Sequence, residues 1–205
     1  GLLPSARKIA NLFVSSGTIV SGETATGDEL FRMRALPNRA YLSDWPVVIL
    51  INQGSASASE IVSGCVQAHD AGIIVGQRSW GKGSVQTVHQ VSREANVKLT
   101  TQYYRLPSPD GGKTPGRLVH KRRGSTDWGV VPDVEVRMSP DQITKSTELR
   151  QKADMILIGS DEERPDINQL ITEGLDPQLE TALLILRANA LSRMTADYRH
   201  ALLNE

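Results

Sequence analysis

Two short segments of the chain carry residue types that can do chemistry together. The first, Asn52-Gln53-Gly54-Ser55-Ala56-Ser57-Ala58-Ser59-Glu60, joins an aliphatic run to a stretch with apolar residues at helical spacing. Small residues let the backbone turn sharply and leave little bulk between the main chain and a ligand. A serine at such a junction stands beyond the carboxyl end of a strand, where α/β folds place their sites. The N–H groups that follow it open a helix and have no intrahelical partner, so they suit an oxyanion, with the helix dipole adding partial positive charge. The same segment also fits a Ser-rich N-cap without chemistry, and alone it does not separate the two.

The second segment is Gly76-Gln77-Arg78-Ser79-Trp80-Gly81-Lys82-Gly83-Ser84-Val85-Gln86. An ordinary surface lysine needs no flanking glycines, whereas an amine that must enter a crowded site often does. To act as a base near neutral pH such an amine needs a lowered pKa, which desolvation supplies. It can then take a proton from a serine hydroxyl and return it to a leaving amine. Gln86, four residues on, is placed to hydrogen-bond that amine without adding charge.

Other motifs are weaker. Gly76-x-x-x-x-Gly81-Lys82-Gly83 approaches a phosphate-binding loop, but Gly83 stands where Ser or Thr would hold magnesium, and Ser84 to Val91 is β-rich where a helix is required. Ser5-Ala6-Arg7-Lys8 matches Ser-x-x-Lys without its companion motifs and reads as first-turn helix. His69, His89, His120 and His200 lack metal-ligand spacing, so no metal is expected. The single cysteine, Cys65, falls in the apolar phase of a helix as a small buried thiol, and no disulfide framework is available.

The elements that position the two segments follow from periodicity. Residues 5–15 read as a short amphipathic helix, followed by two weakly patterned strands. Pro46-Val47-Val48-Ile49-Leu50-Ile51 suits a strand buried on both faces. Residues 57–69 place Ile61, Val62, Cys65 and Val66 at helical spacing, and Ile73-Ile74-Val75 is a second buried strand. Period-two alternation returns from Val85 to Arg105. Asp110-Gly111-Gly112 and Pro115-Gly116 mark a loop, and Val130, Val131 and Val134-Glu135-Val136 suggest a last short strand. His120-Lys121-Arg122-Arg123 reads as a solvated loop. Two polar helical segments follow, about 139–157 and 176–202, linked by a charged stretch with Pro165. An α/β domain of residues 1–137 with a helical extension of 138–205 is therefore expected.

The 23 Lys+Arg balance the 23 Asp+Glu, so no global field favours nucleic acid, and 39% hydrophobic residues suit a globular protein. No run approaches the apolar length of a membrane span, and no signal peptide is visible.

Ser-Ala-Ser-Ala-Ser-Glu-Ile around Ser57, then Gly-Lys-Gly-Ser-Val-Gln around Lys82, 25 residues on, resembles the carboxyl-terminal processing proteases, the tail-specific serine peptidases with a Ser–Lys pair. The likeness runs from Gly1-Leu2-Leu3 through Tyr103-Tyr104-Arg105-Leu106-Pro107-Ser108 to Pro132-Asp133-Val134-Glu135-Val136, with Asp176-Pro177-Gln178-Leu179 beyond. The resemblance implies Ser57 as nucleophile, Lys82 as general base, Gln86 as supporting residue, and the backbone N–H groups of Ala58 and Gly1 as oxyanion donors. It implies a crotonase-like α/β spiral, an acyl-enzyme mechanism without cofactor, and protein or peptide substrates with exposed C-terminal tails. It also implies a bacterial periplasm or cell-envelope setting, and leaves oligomers open. The chain opens where the family's preceding strand and Gly-Gly turn end, so that strand and the PDZ domain are expected to be absent. The alternative expectation is a catalytically incomplete or peptide-binding member of the same fold. The Pro109–Trp128 loop, His120 included, acquires no role from the resemblance.

Overall fold

A computed structural model describes residues 1–110, 116–155 and 164–203, with side chains described through residue 192. The tip of the expected loop, 111–115, and most of the linker between the C-terminal helices, 156–163, lie outside the described residues. The chain divides into two compact units, Gly1–Asp133 and Val134–Glu205.

The first unit begins with helix α1, Leu3–Phe13, which starts two residues earlier than its apolar pattern suggests because Pro4 is tolerated in a helix's first turn. Strands β1 (Thr18–Glu23) and β2 (Glu29–Arg34) follow, then β3 (Val48–Ile51), α2 (Ala58–Ala68), β4 (Ile73–Gly76), β5 (Ser84–Gln90) and β6 (Asn96–Arg105). Strands β2-β1-β6-β5 form an antiparallel sheet in that order, while β3 and β4 pair in parallel. This is a mixed α/β fold of small sheets and helices, as the sequence predicts.

Two apolar clusters hold it. Ala6 and Ala10 of α1 meet Ile61 and Cys65 of α2 over Ile19, Val20 and Tyr104. On the other side of α2, Val66 packs with Ile51, Ile74, Leu106, Val119 and Val130. Full burial of residues such as Ile61 or Val66 contributes about 1.5–3 kcal/mol each. Small residues on α2 allow the close approach: a Cβ at Gly64 would lie 2.5 Å from a Leu106 methyl.

Strand β3 is less enclosed than its composition implies: Val48, Ile49 and Leu50 are half-buried and Ile51 alone is buried, because β3 pairs on one side only among the described residues. Asp133 clamps the second cluster from outside. Its carboxylate accepts from Ile74 N–H at 2.7 Å and from Gln67 Nε2 at 2.7 Å, and its N–H donates to Ile74 O at 2.8 Å. Val130 and Val131 are not strand residues; Val130 instead exchanges hydrogen bonds with Ser79.

In the second unit a two-residue strand, β7 (Val134–Glu135), precedes α3 (Pro140–Asp154), the short α4 (Gln169–Thr172) and α5 (Pro177–Leu203). A capping box of Ser139 with Gln142 opens α3, and Asp176 caps α5 by accepting from Leu179 N–H at 2.9 Å while paired with Arg150. Among the described residues no helix is long and apolar enough to cross a membrane.

Candidate active site

The loop between β3 and α2 is held by its own side chains. Asn52 Oδ1 accepts from Gly54 N–H at 2.8 Å, and Ser55 Oγ accepts from Asn52 N–H at 3.1 Å. The turn ends at Ser57, which has φ 60° and ψ −113° as the N-cap of α2. Positive φ is costly for a residue with a Cβ, and such strain gathers where a side chain must project sharply. Ser57 is half-buried, and Ala58 opens the helix behind it. Gly1 lies against this helix start: a side chain there would sit 2.8 Å from Ala58 Cβ. Gly1 and the first residue of α2 are thus neighbours.

Beneath Ser57 lies Glu60, wholly buried. Its Oε2 accepts from the N–H of Ser57 and from the N–H of Lys82, each at 2.8 Å. Its Oε1 accepts from Gly81 N–H at 2.6 Å and from the Ser79 hydroxyl at 2.5 Å. Ser79 Oγ in turn accepts from Val130 N–H at 2.7 Å. A buried carboxylate is costly unless hydrogen-bonded, and here four donors stand in for water. Sequence reasoning assigned Glu60 no role. The available signal was Ser57-x-x-Glu60, a capping-box spacing whose carboxylate half the structure realises.

The Lys82 turn is positioned from two sides. Trp80 N–H donates to Ser55 O at 2.9 Å, tying it to the serine loop. On the other side, residues 119–121 and Trp128 pack directly on the two glycines that flank Lys82. Lys121 N–H donates to Gly81 O at 2.9 Å. A Cβ at Gly81, whose φ is +86°, would lie 2.6 Å from Trp128 Cδ1, and one at Gly83 would lie 2.6 Å from His120 N. The glycines therefore admit a neighbouring segment, a physical reason different from the expected passage of the amine.

That segment is less of a free solvated loop than its composition implies. The Arg78 guanidinium and the Lys121 ammonium both stand over the Trp128 ring, at 4.3 and 4.5 Å from its centroid, and Arg122 faces Tyr103 at 5.3 Å. The His120 ring tilts on Tyr103 at 5.1 Å, and its Nδ1 is buried without a hydrogen-bond partner among the described residues. Burial and then Arg122 push the His120 pKa below the ordinary histidine value, with Glu60 pulling the other way.

The side chains of the expected dyad are not joined. Lys82 is exposed rather than desolvated, although its main chain and its flanking glycines are packed. No hydrogen bond links its amine to Ser57 or to Gln86 among the described residues. Gln86 is exposed on β5, next to a register irregularity between Val85 and Gln86 that alters the facing of residues beyond it. The main chains of Ser57 and Lys82 are thus fixed to one another, while their reacting atoms are not.

Cys65 is fully buried, and burial pushes its thiol up to about 12, which removes it as a nucleophile at neutral pH. No group of three or more His, Cys, Asp or Glu side chains converges as a metal cluster would among the described residues.

Comparison with known proteins identifies the family of the chain. The model of Peptidase family S41 matches residues 1–136, and the chain belongs to that family. It is 41% identical over 109 residues to a carboxy-terminal-processing protease of Bartonella bacilliformis, covering 53% of this chain and 25% of that protein. It is 31% identical over 162 residues to a carboxyl-terminal-processing protease of Synechocystis, covering 77% of this chain and 34% of the relative. Among solved structures, the photosystem II D1 C-terminal processing protease superimposes with a TM-score of 0.57 at 32% identity, over 66% of this chain and 31% of that one. The chain thus spans roughly a quarter to a third of the length of these relatives.

Proposed function

We propose that residues 1–137 form the catalytic part of a serine endopeptidase that cleaves protein substrates near their C-termini, with 138–205 as a helical extension. Ser57 Oγ attacks the scissile carbonyl carbon while neutral Lys82 takes its proton, and the resulting oxyanion is held by the N–H groups of Ala58 and Gly1. Collapse breaks the C–N bond, with Lys82 returning the proton to the departing amine. The acyl-enzyme then accepts water, whose proton passes to Lys82 as the new C–O bond forms. Collapse breaks the ester C–Oγ bond, Lys82 returns the proton to Ser57 Oγ, and the carboxylic acid product leaves. Gln86 steers the amine. The cell envelope or periplasm is the proposed setting.

The observation that carries this reading is that one buried carboxylate, Glu60, fixes the backbones of Ser57 and Lys82 through a single oxygen. Family membership and the names of the relatives support it. An acylating serine probe applied to the full-length protein tests it: Ser57 is labelled, and Lys82→Ala abolishes labelling. A full-length protein that stays unlabelled, or that labels equally well without Lys82, overturns the proposal.

The exposed Lys82 amine favours a second reading for these 205 residues taken by themselves, peptide binding without turnover. Labelling of the full-length protein but not of the 205-residue chain supports that reading, and equal labelling of both removes it.

A further inference from the structure

A cavity of about 470 Å³ lies along the side of α1, lined by Arg7, Lys8, Asn11, Leu12, Arg39 and Tyr41, with Leu36 at its edge. Its charge is one-sided. Three cations line it and no carboxylate does, and none of the three is in an ion pair among the described residues. The whole chain has as many acidic as basic residues, so this cluster is not a by-product of general basicity. A cleft lined by one sign of charge focuses its field and concentrates counter-ions.

The cavity is built into the fold. Asn11 is buried and holds the 36–39 turn against α1, its Nδ2 donating to Leu36 O at 3.0 Å and its Oδ1 accepting from Leu36 N–H at 3.0 Å. Leu42 N–H donates to Leu12 O at 2.8 Å and closes the same turn on the helix. Asn11 is thereby a fixed floor, and the free polar groups of the lining are the cations, beside the apolar bodies of Leu12, Leu36 and Tyr41.

We propose that this cavity is a subsite for a carboxylate carried by a peptide with apolar neighbours. Phosphate sites draw on runs of backbone N–H groups or a helix N-terminus. This cavity presents the flank of α1 and a turn, and its arginine forks suit a bidentate anion, a carboxylate or a phosphate, so the test sets the two against each other. The cavity occupies the flank of α1 away from Ala6 and Ala10, the residues that pack on α2. The choice of a peptide as ligand rests on the peptidase reading above; the cationic cavity itself does not. The carboxylate has two sources, a peptide's C-terminus or an Asp or Glu side chain.

An NMR titration of the 205-residue chain, following the Arg7 and Arg39 side-chain Nε–H signals, tests this. The probes are an N-acetylated Ala/Leu hexapeptide with a free C-terminus, its C-terminal amide, the amide carrying one internal Glu, and inorganic phosphate. At least one carboxylate peptide is expected to shift both arginine signals and to bind about tenfold tighter than the plain amide, as loss of a charge-assisted contact implies. The free-acid and Glu-amide arms say which carboxylate is used. Arg7→Gln and Arg39→Gln, both at helix or turn surfaces, should each remove most of that preference.

Equal binding of acid and amide, a preference that survives both substitutions, or phosphate binding tighter than either carboxylate peptide overturns the subsite. None of these readouts needs Ser57 chemistry. An unlabelled Ser57 with an intact carboxylate preference would sink the peptidase reading and leave the subsite standing.

Discussion

Ser57 and Lys82 donate their main-chain N–H groups to one atom, Glu60 Oε2, each at 2.8 Å. Together with the Trp80 N–H to Ser55 O bond, that shared acceptor ties the two segments that carry the proposed chemistry. It also explains why a wholly buried acidic residue is tolerated without a cation: its charge is spread over three N–H groups and one hydroxyl.

Replacing Glu60 with Gln keeps the shape and reverses the polarity of half the group. The carboxamide nitrogen would face either the Gly81 N–H and Ser79 hydroxyl or the Ser57 and Lys82 N–H groups, leaving donors opposed. A loss on the order of 2–3 kcal/mol is expected, since hydrogen bonds to a charged acceptor carry about that much. A urea titration of Glu60→Gln against the unsubstituted chain checks the size. Labelling of Ser57 should fall as well even where the variant is folded, because both segments lose their common anchor.

Ser57 stores strain that a glycine would relieve. At φ 60° and ψ −113° a Cβ is unfavourable, and residues in sparse regions cost on the order of 1–3 kcal/mol. Ser57→Gly and Ser57→Ala both delete the nucleophile, so both should abolish labelling. They should differ in stability: the glycine variant is expected to be more stable than the alanine variant by about 1 kcal/mol after glycine's own entropy cost is subtracted. Equal denaturation midpoints for the two would show that the turn carries no such strain.

Much of this architecture is legible in the residues themselves. The spacing of Ile61, Cys65 and Val66 announces α2, and Ile73-Ile74-Val75 announces β4, because local periodicity and burial coincide there. The four-residue α4 is too short to set up a period, and Val130 gives its backbone to Ser79 where its β-branched neighbours suggest a strand. Glu60 was readable as half a capping box, yet three of its four donors come from residues 79–82, and no local pattern reports a contact of that range. The loop around His120 escaped for a related reason. Its contacts are made where Gly81 and Gly83 lack a side chain, so the sequence records them only as absent bulk. The exposure of Lys82 also lay beyond reach, since solvation depends on what covers a turn and not on the turn's own residues.

Cys65 provides a check on the packing between α1 and α2. Its thiol is fully buried and pushed up to about 12 by burial alone, so the reactive thiolate is scarce at pH 8. Iodoacetamide should leave the native chain unmodified over the time in which it labels the urea-unfolded chain completely. Rapid modification of native protein would mean that the cluster of Ala6, Ala10, Ile61 and Cys65 opens easily.

His120 gives the fold a pH dependence whose sign is fixed. Its pKa is held below the ordinary value of 6.5 by burial first and by Arg122 second, with Glu60 acting against them. The charged and titratable groups around it come from its own segment (Lys121 and Arg122), from β6 (Tyr103) and from α2 (Glu60). Between its folded value and 6.5 the unfolded chain binds a proton that the native chain does not. Unfolding there takes up protons, so stability rises with pH across that window and falls as pH is lowered through it. The difference in denaturation midpoint between the unsubstituted chain and His120→Phe, which keeps a ring against Tyr103, should therefore be constant above pH 6.5. Below it the unsubstituted chain should lose stability faster. Parallel pH profiles for the two proteins would show that His120 does not titrate differently on folding, and that the orphaned Nδ1 finds a partner in solution.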